Sequence, residues 1–295
     1  LKSIFKKKIK LIDYENIRDL NGSRYLGFGR FAGIVGCYNT LNLFLSKNKF
    51  IPLGRAFKIN NYERLKYNLK NINFPKIKLL VTGDGRVAGG VMELLKETNF
   101  IQVNKKDYLL CNFNEPVFCN LKTEDYVKNK DNTLFNLNHF INFSSEYSSC
   151  SLPYLLKSDV YISAHYWDPS SPKIFEKNQF NKLSQLQVIG DITCDVDGSV
   201  PTTIKSTTIM NPNFFLDRNT MMESQNINNN LAIMAVDNLP SELPRESSLE
   251  FGDGIVKNVF PYLIEKDDGR ILNATITKEG RFLEKYSYLE NFTNS

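Results

Sequence analysis

Several absences bound the reading of this chain before any motif does. No apolar run approaches the roughly 20 residues that a membrane-spanning helix needs, so a membrane protein is not expected. Only two histidines are present, His139 and His165, and neither stands at a metal-ligand spacing from cysteine or carboxylate, so no metal site is expected. The five cysteines form no CxxC pair and are odd in number, which points to reduced thiols and a cytoplasmic location rather than a disulfide framework. No apolar segment follows the basic N-terminal residues, so no secretory leader is read there. The chain also begins at Leu1 rather than methionine, from which a missing upstream segment is expected. No repeat of solenoid period is visible.

What is present is ordinary for a globular protein. Of the 295 residues, 42% are hydrophobic and 23% charged, and the length favours two lobes over one core. The net charge of +5 is spread along the chain. Its one dense block, Lys6-Lys7-Lys8 with Lys10, reads as a solvated face, and no nucleic-acid partner is expected. The Asn-rich stretch Asn226-Ile227-Asn228-Asn229-Asn230 carries no functional signal.

The residues Pro75 to Thr82 form a β-prone run that stops at Gly83-Asp84-Gly85. Val87, Val91, Leu94 and Leu95 then recur at helical spacing, and Phe100 to Val103 reads as a second strand. Strand, glycine turn, helix and strand within about 30 residues make a βαβ unit. Further strands are expected at 159–164, 186–193 and 231–237, completing a parallel sheet. Residues 121–151 have no clear period and read as an insertion or lid with some helix. Upstream, Phe31, Ile34, Val35 and Leu41 line a helix whose Ala32, Gly33 and Gly36 permit close helix contact. Downstream, a helix through Phe251, Ile255 and Val259 precedes a hairpin at Lys278-Glu279-Gly280-Arg281.

The turn Gly83-Asp84-Gly85-Arg86-Val87-Ala88 fits the GxGxxA dinucleotide pattern. The first glycine permits a tight turn, the second admits the pyrophosphate to the backbone, and Ala88 lets helix and strand pack. The phosphates are expected on the amides at the helix N-terminus. Two features run against the pattern. Asp84 sets a negative charge inside a phosphate turn, beside a compensating Arg86. The second strand ends not in an acid but in Asn104-Lys105-Lys106; Asn104 can bind the ribose diol and the lysines can tolerate a 2′-phosphate, so NADP stays open beside the expected NAD. His165 reads as a packing or loop residue before a chemical one. In Gly190 to Asp195, strand alternation would place Asp191, Asp195 and Asp197 on one side.

Five segments in order, "LIDYENIRDLNGSRYLGFGRFAGIVG", "VTGDGRVAGG", "ISAHYWDP", "GDITCDVDGSVPTTI" and "MAVDNLPSELPRESS", resemble lysine-forming saccharopine dehydrogenases and the related bacterial alanine dehydrogenases. The resemblance implies an α/β fold: a Rossmann-like doubly wound parallel sheet in residues 31–239, with a second, partial Rossmann-like lobe built from residues 1–30 and 240–295. It also implies a small amino-acid substrate held by Arg24, Phe28, Thr193, Cys194 and Asp195. The cofactor would be held by Gly83, Gly85, Arg86, Asn104, Tyr166, Ile192, Val236, Asp237, Asn238 and Leu239. The family's acid-base lysine and histidine match no residue here, so the catalytic residues are unknown and the chain alone is expected to be inactive. The implied reaction is hydride transfer between nicotinamide and a carbon bearing an amine, with saccharopine as donor. Oxidative deamination of a smaller amino acid and a non-catalytic nucleotide-binding remnant are the alternatives. Oligomeric state stays open.

Overall fold

The structure, a computed structural model, describes residues 1–20, 22–59 and 61–291. The chain forms two compact units, one from residues 1–28 with the chain from 245 onward, the other from Gly29–Pro244.

The larger unit is built on a seven-stranded sheet. Its strands are β1 (Lys78–Thr82), β2 (Ile101–Gln102), β3 (Val117–Leu121), β4 (Val160–Ser163), β5 (Val188–Asp191), β6 (Asn213–Leu216) and β7 (Leu231–Met234). They lie in the order β2-β3-β1-β4-β5-β7-β6. All pairings are parallel except that of β6 with β7, which is antiparallel. Strands β1, β4, β5 and β7 are short apolar runs buried on both faces, as expected where helices and loops cover both sides of a parallel sheet. Their period of two divides the core. Leu79, Val81, Ile162 and Met234 join one cluster, while Leu80, Tyr161, Ile189 and Ile233 join the other. Each such side chain contributes roughly 1.5–3 kcal/mol on burial.

Three departures from the sequence expectations concern this sheet. Strands β3 and β6 were not foreseen, and the sheet is mixed at its β6 edge rather than wholly parallel. The third matters most for function: β2 does not lie beside β1. Leu121 pairs with Thr82 and Val117 with Lys78, so β3 is the neighbour and β2 stands one strand further out. The segment Val117-Phe118-Cys119-Asn120-Leu121 is a five-residue run interrupted by an asparagine, next to Asn-rich chain, and consecutive elements pair only about two-thirds of the time.

Helix α1 (Gly29–Lys47) and helix α2 (Arg86–Leu95) cross in close contact on one face of the sheet. Glycines set the spacing. A methyl group on Gly33 would overlap the Val87 carbonyl, and one on Gly90 would overlap the Arg30 carbonyl. Arg30 then spans the same helices through a paired contact to Glu93, with bonds of 2.7 and 2.6 Å. Residues 121–151 hold helix α4 (Thr123–Tyr126), after helix α3 (Lys105–Leu110), and an antiparallel pair of Val127–Asn129 with Tyr147–Ser149.

The smaller unit has its own antiparallel sheet, in which Thr275–Lys278 lies between Leu11–Ile12 and Arg281–Phe282. The hairpin at Glu279 and Gly280 has both central residues in the left-handed region, φ 53° and 75°, the signature of a type I′ turn. Ile17, Leu26, Val259, Ile271 and Ala274 form its core.

Candidate functional site

The candidate site lies at the C-terminal ends of β1, β4 and β5. Gly83 follows β1 directly, at φ 122°, and its N–H donates to the Leu121 carbonyl at 2.9 Å. Its position is fixed by the protein itself, because a Cβ there would overlap the Ala164 carbonyl. Gly85 is different. It is the N-cap of α2 with φ −88°, and a Cβ would meet nothing within 4 Å. No side chain caps α2, and its first turn contains no acid, so the amides at its N-terminus are left uncapped at the positive end of the helix dipole. The turn therefore has the bare backbone, the free donors and the field that a pyrophosphate requires. Ala88 is buried in the core, whereas the closest backbone approaches of α2 are made at Gly90 and against Gly33.

Beneath this turn lies a buried chain of hydroxyls that was not foreseen. Thr82 Oγ1 is 2.8 Å from the Tyr161 hydroxyl and 2.8 Å from His165 Nδ1. Ser163 Oγ lies 3.5 Å from the same nitrogen and also bonds Asp191. Asp191 is fully buried and accepts from the hydroxyls of Thr193 at 2.5 Å and Thr203 at 2.6 Å. Burial pushes its carboxyl above the usual range, against these hydrogen bonds. Burial likewise lowers the His165 imidazole to about 4, so that it is neutral at pH 7 and packs on the Tyr126 ring. The signal available in sequence was the placement of Thr82, Ser163 and Asp191 at strand ends, but nothing there shows that they meet.

The remaining sequence-predicted residues fall into several settings. Tyr166 is 84% exposed beside the buried His165. After Asp191 the strand ends, and Cys194 and Asp197 turn left-handed at φ 52° and 54°. The expected alternation of carboxylates therefore does not hold: Asp191 is buried, while Asp195 and Asp197 are exposed and Asp197 pairs with Lys177 at 2.6 Å. Cys194 is half-buried, and burial with nearby carboxylates, Asp191 first, raises its thiol to about 11. Ile192 packs against the core close to Gly36. Val236 and Leu239 are buried, whereas Asp237 and Asn238 are exposed between them. Asn104 caps α3: its side chain accepts from the Asp107 N–H at 2.9 Å and donates to the Asp107 carboxylate at 2.6 Å.

Arg24 and Phe28 belong to the smaller unit. Arg24 pairs with Glu15 at 3.1 Å, with both side chains about half exposed, rather than with the Asp19 that sequence proximity suggests. Phe28 stacks on Phe251, ring centroids 4.7 Å apart and planes 9° from parallel. Among the described residues no group of three metal-ligating side chains occurs, and no helix is long and apolar enough to cross a membrane.

No protein-family model matches the chain. The whole chain is similar to alpha-aminoadipic semialdehyde synthase, mitochondrial, of Mus musculus, 24% identical over 364 aligned residues, and to that of Arabidopsis thaliana at 25% over 342. Over 84% of its length it is 23% identical to the NAD(+), L-lysine-forming saccharopine dehydrogenase of Schizosaccharomyces pombe, covering 61% of that protein. Its relatives are semialdehyde synthases and a saccharopine dehydrogenase. The chain spans 37% of the length of the mouse protein and 32% of the Arabidopsis one. Among solved structures, an L-alanine dehydrogenase aligns with 99% of this chain and 71% of its own, at a TM-score of 0.53 and 14% identity. A transhydrogenase from Sinorhizobium meliloti aligns with 96% of this chain and 70% of its own, at 0.52 and 8%. These neighbours show the fold, a Rossmann-type α/β arrangement around a mainly parallel sheet.

Proposed function

We propose that this chain is the dinucleotide-binding portion of an amino-acid dehydrogenase that acts on saccharopine, releasing lysine and 2-oxoglutarate. The observation that carries the reading is the contrast between two glycines. Gly83 is demanded by the fold, through its positive φ and its contact with Ala164. Gly85 is demanded by nothing in the protein, since its φ suits any residue and its Cβ would enter open space. A bare backbone with uncapped amides at that point serves a ligand. The relatives named for saccharopine and aminoadipic semialdehyde chemistry supply the substrate class.

A bound nicotinamide would accept hydride from the carbon bearing the amine. The chain's own residues bind and orient. The Gly85 turn and the first amides of α2 would hold the pyrophosphate, with Arg86 at the helix start. The exposed residues Asp237 and Asn238 would meet the ring end. Thr193, Cys194 and Asp195 would line the substrate side. Arg24 offers a guanidinium whose planar fork suits a carboxylate, and its exposed pairing with Glu15 is weak enough to exchange.

The test is calorimetric titration of the chain with NAD and with NADP, repeated for Gly85→Val. Because a Cβ at this position meets nothing within 4 Å, the variant should fold normally and bind the preferred dinucleotide at least tenfold more weakly. Equal affinity in a folded Gly85→Val protein would remove the glycine turn from the site.

A further inference from the structure

In a sheet of this type the adenosine ribose is read at the end of the strand beside the glycine strand, normally by an acid that accepts from the ribose hydroxyls. Here that strand is β3, followed by Lys122 and Thr123 and then by two acids, Glu124, which is exposed, and Asp125, whose carboxylate is already taken up by the Lys122 N–H at 2.9 Å and by Lys105. Asn104, at the end of β2, stands one strand too far out, and its side chain is occupied in capping α3.

A carboxylate nevertheless reaches the end of β3 from the other side. Asp84, the middle residue of the glycine turn, accepts a hydrogen bond from Thr123 Oγ1 at 3.4 Å. Its charge is also felt by the Tyr126 phenol of α4. The Thr123 hydrogen bond directs the side chain across the β1–β3 crevice. A carboxylate offers about four acceptor positions, and this one long bond leaves room for more. This orientation gives a physical reason for the negative charge that is anomalous in a phosphate turn.

We infer that Asp84, supported by Thr123, takes over the ribose-reading role and selects a dinucleotide whose adenosine 2′-hydroxyl is free, that is NAD over NADP. The inference rests on the dinucleotide-binding reading above. A 2′-phosphate in the same place would bring a second anion against the Asp84 carboxylate. Lys122 is exposed at the same strand end and is the competing reader, since its ammonium suits a 2′-phosphate.

The experiment compares NAD and NADP affinities of the full 295-residue chain with those of Asp84→Asn and Lys122→Ala, each checked for fold by circular dichroism. The wild type should bind NAD at least tenfold more tightly than NADP. Asp84→Asn should weaken NAD by about tenfold and close most of the gap, while Lys122→Ala should leave the ratio within about twofold. Tighter NADP binding that Lys122→Ala abolishes would overturn the inference and assign the site to a 2′-phosphate, as would an unchanged ratio in Asp84→Asn. Binding of neither dinucleotide would overturn the dinucleotide-binding reading itself, and this inference with it.

Discussion

His165 and Asp191 occupy one hydrogen-bonded chain but respond to pH in opposite senses. The imidazole falls from 6.5 to about 4 by burial, so across that window an unfolded chain binds a proton that the folded chain refuses. Its contribution to stability is full above about pH 6.5 and is lost as pH falls toward 4, by up to ~3 kcal/mol at the low end. Asp191, raised by burial, acts the other way, since its folded form takes up a proton more readily than the unfolded one as pH falls. A bulk denaturation curve mixes the two, so the expected outcome is best read at the residue. In an NMR titration the His165 ring should show no protonation above about pH 5, and a midpoint near 6.5 would mean that it is solvated and open to proton transfer. At this scale the sequence was informative where a residue type answers one need, as the glycine pattern does, and ambiguous where burial decides. Nothing in "ISAHYWDP" distinguishes an enclosed histidine from an exposed one, yet His165 is enclosed and its neighbour Tyr166 is exposed.

Between elements, the contact of α1 with α2 makes a sharp comparison possible. Replacing glycine by alanine inside a helix ordinarily gains roughly 0.5–1 kcal/mol. Gly33→Ala should instead lose about 1–3 kcal/mol, because the new methyl overlaps the Val87 carbonyl and the helices must part. Gly89→Ala, on α2 where a Cβ meets nothing, should show the ordinary gain. Urea denaturation of the two variants checks this, and equal effects of either sign would refute the packing account. The small residues of α1 and the βαβ run were legible in sequence because periodicity and glycine spacing are local properties. The adjacency of β3 to β1 was not, because pairing order is decided by long-range burial. That one displaced strand moves the expected ribose reader from Asn104 to the crevice shared by Asp84 and Thr123. The edge strand β6 was hidden for a related reason: Asn213-Phe214-Phe215-Leu216 is four residues long and is defined only by its ladder to β7.

For the whole molecule, the distribution of chemistry over the chain predicts binding without turnover. The segments that resemble dehydrogenases are those proposed above to hold the phosphates, the ring end and the substrate, but no residue matches the acid-base lysine and histidine that the resemblance implies. The two histidines present do not replace them on geometric grounds. His165 is buried and neutral, hydrogen-bonded to Thr82, and His139 lies on the Leu137–Asn142 helix against the Tyr147 hydroxyl at 3.1 Å. A missing general acid or base typically costs about a hundredfold to ten-thousandfold in rate, and two such losses compound. The purified 295-residue chain should therefore titrate with dinucleotide to saturation, yet show saccharopine oxidation at least about a thousandfold below a complete dehydrogenase, followed by nicotinamide absorbance. Turnover within tenfold of a complete enzyme would require a proton-transfer group inside this chain. In that case Cys194 and Asp195 are the residues to substitute first, being half-buried and exposed beyond the end of β5.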